Sequence, residues 1–119
     1  MGTNTENIDI AIIMCTFKRV HRLQGTIELL KQQTLRDFHF YIWNNNSDNK
    51  SDINKTVNNN LDIVKEVTHS EENVGGVGRF ILAKRIARLY TKIIFIDDDQ
   101  DFKPELVELM DNTFSKNTV

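Results

Sequence analysis

The sequence predicts an α/β fold with a mostly parallel sheet and helices on both of its faces. Four apolar segments of strand length alternate along the chain with four segments of helical periodicity. The first and last of these apolar segments are continuous, which is typical of parallel strands buried on both sides. Polar residues follow the segments directly, and open α/β sheets bind their ligands at the carboxyl ends of the strands.

Length and composition fit one compact domain. The chain has 119 residues and a net charge of -2, without the basic stripe that would indicate nucleic acid. Cys15 is its only cysteine, which excludes a disulfide framework and favours a reducing, cytosolic environment. Residues 1–7 are polar, so we expect a disordered tail and not a signal peptide, and no later apolar run approaches membrane-spanning length.

The first strand is predicted at residues 8–15, where the apolar run is continuous. Apolar side chains then recur at helical spacing through to about Gln33, which predicts the first helix. These side chains are Val20, Leu23, Ile27 and Leu30.

Aromatic and β-branched residues predict the second strand at 37–43, with Phe40 and Trp43 in the core. The polar stretch that follows Trp43 predicts a loop and then a weak helix at 52–60. Alternating apolar residues predict the third strand at 61–69.

A glycine-rich segment, ENVGGVG, leads into a helix predicted at 77–90. Its glycines allow close backbone approach, and a helix N-terminus offers free N–H groups to an anion. A tight turn that requires positive φ is the alternative interpretation. The predicted apolar face of this helix comprises Phe80, Ala83, Ile86, Ala87 and Tyr90, and the predicted solvated face comprises Lys84, Arg85 and Arg88.

The run KIIFID predicts the fourth strand, and it ends in Asp97, Asp98 and Asp99. Three adjacent carboxylates repel one another, and a hard cation such as Mg²⁺ or Mn²⁺ relieves that repulsion. An acidic turn before the next helix is the alternative, but the place after a buried strand favours a metal or ligand site. That helix is predicted from Glu105 to Phe114, with Leu106, Leu109 and Met110 directed inward.

Common phosphate-binding motifs do not account for the glycine loop. The chain has no GxxxxGK followed by Ser or Thr, and Ile81 stands where a dinucleotide fingerprint requires a third small residue. A receiver domain would place an acidic pair after the first strand, where this chain has MCTFKR.

Four segments in order resemble a known family: IAIIMCTFKR, YIWNNNSDN, ENVGGVGRF and IIFIDDDQDFKPELVELM. They are similar to the N-terminal half of inverting GT-A glycosyltransferases of family 2, in particular the rhamnosyl- and galactofuranosyl-transferase-like branch. The resemblance extends from about residue 8 to 113. It implies a Rossmann-like half-domain over residues 1–119 that binds the nucleotide-sugar donor and is truncated relative to the full domain.

The resemblance also implies roles for individual residues. Thr16 and Phe17 match a Thr-Tyr pair that holds the base and ribose, and Asn44 stands where an aspartate usually accepts from the nucleobase. Asp97 and Asp99 match the two metal-binding acids of a DxD motif, with Asp98 in the variable place between them. Asp99 matches the direct metal ligand, and Asp97 matches the acid nearer the ribose or sugar.

The glycine loop departs from the family pattern in part. Asn73, Gly75 and Gly76 match the loop near the sugar and diphosphate, but Arg79 replaces a glycine. The Arg79 guanidinium is expected either to reach a phosphate or to pair with a neighbouring glutamate, Glu71 or Glu72. His69 either approaches the site from the third strand or is solvated.

The implied function is metal-dependent transfer, with inversion, from a UDP- or dTDP-linked sugar to a glycan or lipid-linked acceptor in polysaccharide biosynthesis. The general base is unknown and is expected beyond residue 119. The alternatives are a non-catalytic nucleotide- or metal-binding module and a nucleotidyltransferase. We further expect a cytoplasmic enzyme that works at the inner face of the membrane. We also expect self-association through exposed sheet surface.

Overall fold

The computed structural model describes residues 8–117, so the tail expected at 1–7 lies outside the described residues. The strands are β1 (Ile10–Thr16), β2 (His39–Asn44), β3 (Val64–His69) and β4 (Lys92–Asp97). The helices are α1 (Val20–Lys31), α2 (Lys50–Asn58), α3 (Val77–Ile86) and α4 (Leu106–Asn117). The four strands pair in parallel in the order β3-β2-β1-β4, which confirms the predicted parallel sheet.

Helices cover both faces of the sheet, as predicted. On one face, α1, α2 and α4 pack on alternate strand residues such as Ile12 and Phe40. On the other face, Leu82 and Ile86 of α3 pack on Ile13 and Trp43. Because the strands are buried on both sides, successive side chains pack alternately into the two cores. This alternation explains why β1 is continuously apolar.

The polar stretch after Trp43 is more ordered than the sequence predicts. A 3₁₀ turn at Ser47–Asn49 leads directly into α2, which begins at Lys50. The buried side chains Ile53 and Val57 stand one turn apart and hold this otherwise polar helix on the sheet. The third strand and α3, in contrast, are shorter than predicted.

The apolar face predicted for α3 is wrong in part. Its buried residues are Gly78, Leu82 and Ile86, whereas Phe80 is 61% exposed and Ala87 is also exposed. The reason is that α3 approaches the sheet through Gly78, where an added Cβ would overlap the Trp43 indole. This contact sets the rotation of the helix and carries Phe80 away from the core.

In α4, the inward position predicted for Leu109 is wrong: this side chain is 62% exposed, and Val107 is buried instead. Leu106 and Met110 pack against the core as predicted. Gln33 fixes the start of this helix, since its Oε1 accepts from the Val107 N–H at 3.0 Å and its Nε2 donates to the Lys103 carbonyl at 2.9 Å.

Candidate functional site

The four strands end at one edge of the sheet and bring polar residues together there. Thr16 at the end of β1 is the register partner of Asn44 in β2, and Asn44 is the partner of His69 in β3. On the other side of β1, Cys15 is the partner of Asp97 in β4. The juxtaposition predicted from the order of elements is therefore present.

The three consecutive aspartates have different environments. The Asp98 side chain is 12% exposed, whereas the side chains of Asp97 and Asp99 are 61% and 57% exposed. Thr16 Oγ1 donates to Asp98 Oδ2 at 3.0 Å, and Arg19 Nη1 donates to Asp98 Oδ1 at 2.9 Å. Both oxygens of Asp98 are thus held by the protein, which leaves the flanking carboxylates at the surface.

Arg19 and the anchoring role of Asp98 were not identified from the sequence. Arg19 lies between β1 and α1, and its Nη2 is also 3.9 Å from Asp99 Oδ2. Behind it, Arg22 Nε donates to the Asp98 carbonyl at 3.3 Å. The sequence shows only that Arg19 lies three residues beyond the end of β1, and it does not show which carboxylate would be buried and require a donor.

Arg79 reaches the same edge from the opposite face. Its Nη2 lies 3.5 Å from Asp97 Oδ1, and its Cζ lies 5.6 Å from the centroid of the Phe95 ring. The structure places Arg79 at the strand ends, with Asp97 as its ion-pair partner there. Burial raises the pKa of the neighbouring Cys15 thiol, and the Arg79 charge and hydrogen bond offset part of that rise.

Asn44 is completely buried and its polar atoms are engaged within the protein. Its Oδ1 accepts from the Asn46 N–H at 3.1 Å, and its Nδ2 lies within 3.0 Å of the Asn46 carbonyl, Asn49 Oδ1 and His69 Nδ1. His69 Nε2 faces Asn54 Oδ1 at 2.8 Å, so the network assigns the proton of a neutral imidazole to Nε2. Burial and the Lys50 charge lower the pKa of His69 below 6.5, in keeping with that neutral form.

Asn45 ties the glycine loop to β2, a role that the sequence did not reveal. Its Oδ1 accepts from Trp43 Nε1 at 2.9 Å and from the Val74 N–H at 3.1 Å. Its Nδ2 donates to the Gly75 carbonyl at 3.1 Å. The loop is therefore fixed to the indole against which Gly78 packs.

Within the loop, Gly75 has a φ of 61°, the left-handed conformation that favours glycine. Asn73 Oδ1 accepts from the Gly75 N–H at 2.9 Å. The N–H groups of Val77, Gly78 and Arg79 donate back to carbonyls three residues earlier. The first-turn N–H groups that were expected to be free for an anion are therefore already engaged, and the turn interpretation applies to Gly75.

Phe17 stands at the rim of the site with 37% of its surface exposed. Asn49 Nδ2 donates to its carbonyl at 3.2 Å, and Lys18 Nζ lies 5.1 Å from its ring centroid. An exposed ring next to the end of β1 is available for stacking against a planar ligand.

The residues at this edge fit a divalent cation that arrives with a ligand. In the described part of the chain, no group of three or more His, Cys, Asp or Glu side chains could hold a metal ion. Asp97 and Asp99 nevertheless offer exposed carboxylates, and Mg²⁺ is commonly held by one or two carboxylates together with substrate phosphates.

No helix among residues 8–117 has the length and apolar character that crossing a membrane requires.

Comparison with known proteins agrees with this architecture. No curated protein matches the sequence significantly. Among solved structures, the chain is similar to S. aureus TarS, with a TM-score of 0.64 and 19% sequence identity over 91% of this chain. The match covers 20% of the TarS chain. It therefore shows that this chain shares the fold of one part of TarS. Residues 11–119 match the sequence model of Glycosyl transferase family 2, and the chain therefore belongs to this family.

Proposed function

We propose that the chain binds the nucleoside-diphosphate sugar of an inverting, metal-dependent glycosyltransferase. The observation that carries this proposal is the aspartate tract, in which a buried Asp98 presents Asp97 and Asp99 at the carboxyl edge of a parallel sheet. The match of residues 11–119 to the family supports the same reading. The branch that transfers rhamnose or galactofuranose remains part of the proposal, on the segments quoted above.

The base and ribose would lie near the ends of β1 and β2. Phe17 offers an exposed ring, and the adjacent Thr16 donates a hydrogen bond from its hydroxyl to Asp98. Asn44 faces the base only if it exchanges a hydrogen bond of its present network, because its amide already has protein partners. Uracil and thymine share the imide edge that such an amide would recognise, so UDP and dTDP are both candidates.

The diphosphate would lie between the glycine loop and the aspartates. Asp97 and Asp99 would hold Mg²⁺ or Mn²⁺, which neutralises charge on the departing diphosphate when bound. Arg79 is positioned to add a guanidinium there, and Asn73, Gly75 and Gly76 form the neighbouring loop surface. The acceptor, proposed to be a glycan or lipid-linked saccharide, and the general base are assigned to no residue of this chain.

The test is calorimetric titration of UDP and dTDP in Mn²⁺ or Mg²⁺ and again in EDTA. We expect binding that is much weaker in EDTA and, with metal present, a loss of at least about tenfold in Asp99→Asn, since a charged partner of the cation is lost. Asp62→Asn is the matched control, because Asp62 lies 3.8 Å from Lys31 and distant from the strand ends. Equal nucleotide affinity with and without metal would refute the metal-dependent site.

A further inference from the structure

Two guanidinium groups, from opposite faces of the sheet, form ion pairs with the carboxylates of the aspartate tract. Arg19 comes from the segment before α1 and contacts Asp98 at 2.9 Å. Arg79 comes from α3 on the other face and contacts Asp97 at 3.5 Å. The two contacts differ in length and in the burial of the carboxylate, and that difference suggests different roles.

The Arg19–Asp98 ion pair is expected to stay intact when a ligand binds. The Asp98 carboxylate is largely buried and also accepts from Thr16, so breaking the pair would leave a buried charge without its cationic partner. Ligand binding at the neighbouring carboxylates would leave this pair in place.

The Arg79–Asp97 ion pair, in contrast, is expected to be replaced by contacts to a ligand. The Asp97 side chain is exposed, and the pair is a charge contact without a hydrogen bond of good length. The Arg79 guanidinium also lies over the Phe95 ring, which holds it at the strand ends whether or not Asp97 is its partner. Asp97 can therefore be released without removing the cation from the site.

A cation that binds Asp97 must displace the positive charge of Arg79, and a diphosphate that binds Arg79 must displace Asp97. Each ligand alone works against this ion pair, whereas both together give each member a new partner of opposite charge. Two ligands that share one displaced contact are thermodynamically coupled, and each raises the affinity for the other.

We infer that Arg79 is an exchangeable counter-ion of Asp97, so that divalent cation and nucleoside diphosphate bind cooperatively. This inference rests on the proposed function, since it concerns the same cation and diphosphate. Arg79 is thus expected to oppose the metal when nucleotide is absent and to assist the complex when nucleotide is present.

The experiment measures Mn²⁺ affinity by electron paramagnetic resonance in the absence of nucleotide. Arg79→Gln should bind Mn²⁺ about two- to fivefold more tightly than wild type, the range expected for a partly exposed ion pair. The same variant should bind UDP with Mn²⁺ more weakly than wild type. A merely structural role of Arg79 would weaken both, so the opposite signs are diagnostic.

Matched variants separate charge from packing. Arg85→Gln removes a cation of the same helix that pairs with Glu66, and it should leave both affinities unchanged. Arg79→Lys keeps the charge and should restore the weak Mn²⁺ affinity of wild type. Asp97→Asn tests the other partner, because it frees Arg79 and should strengthen UDP binding in EDTA.

Two results would overturn the inference: unchanged or weaker Mn²⁺ binding in Arg79→Gln with a wild-type melting temperature, or unchanged metal-free UDP binding in Asp97→Asn. If Arg79→Gln does not fold, the Asp97→Asn measurement decides alone. Failure of the proposed function looks different, because wild type would then bind no UDP even with saturating metal.

Discussion

Asn44 and His69 share a contact whose hydrogen bond depends on the protonation of the imidazole. Neutral His69 accepts at Nδ1 from the Asn44 amide and donates at Nε2 to Asn54. A proton on Nδ1 would place two donors against each other, and burial and Lys50 already lower the pKa of His69. Between the lowered pKa and 6.5, the unfolded chain binds more protons, so stability is lost as the pH falls through this window.

The variant Asn44→Asp should shift the pKa of His69 in the opposite direction. A carboxylate at position 44 accepts from His69 Nδ1–H and should raise the pKa of His69 above its wild-type value, which imidazole NMR titration measures directly. His39 is the internal reference, since burial and Lys65 lower its pKa at a site away from Asn44. A His69 pKa that does not move would mean that the ring and the side chain at position 44 are not in contact.

The same variant should cost stability at neutral pH. The carboxylate cannot donate to the Asn46 carbonyl or to Asn49 Oδ1, and unsatisfied buried groups cost about 1–3 kcal/mol. Sequence reasoning placed Asn44 correctly at the end of a strand but could not anticipate this network, because three of its partners come from the loop and from β3.

At the scale of the elements, the strands and the buried face of α1 were predictable, whereas the rotation of α3 was not. The bounds of β4 agree with the predicted KIIFID segment, because a strand buried on both faces leaves a continuous apolar run. For α3, periodicity favoured the large side chain Phe80 over Gly78 as a core residue, since it cannot detect that a missing Cβ makes the closest contact.

That contact predicts opposite effects for two glycine-to-alanine variants within helices. Gly25→Ala, with no atom near the added Cβ in α1, should stabilise the protein by about 0.5–1 kcal/mol through helix propensity. Gly78→Ala should destabilise it by about 1–3 kcal/mol, because the methyl group must displace the Trp43 indole. Denaturant unfolding measures both, and a stabilised Gly78→Ala would show that α3 does not pack this closely.

At the scale of the whole molecule, the family could be identified because the four short segments occur in order, although each is weak alone. The aspartate tract was found from its place directly after a buried apolar strand. Its internal division into one buried and two exposed carboxylates was not, since it depends on Arg19 and Thr16, which lie 79 and 82 residues away in sequence. Long-range side-chain partners of this kind leave no local pattern.

The described sheet also predicts how the molecule behaves at high concentration. β4 is an edge strand, and beside it Phe80 packs edge-to-face on Phe95 with 5.5 Å between ring centroids while remaining largely exposed. Val77 and Ile81 extend this apolar surface along α3. An open strand edge next to exposed apolar side chains favours association with a second copy.

We therefore expect concentration-dependent self-association in sedimentation velocity experiments, and Phe80→Ser should weaken it because it removes the largest exposed ring beside β4. Leu61→Ser is the matched control: Leu61 is similarly exposed but precedes β3, at the opposite edge of the sheet. An equal effect of both variants would indicate nonspecific apolar association, and a monomer at every concentration would show that the β4 edge is not a contact surface.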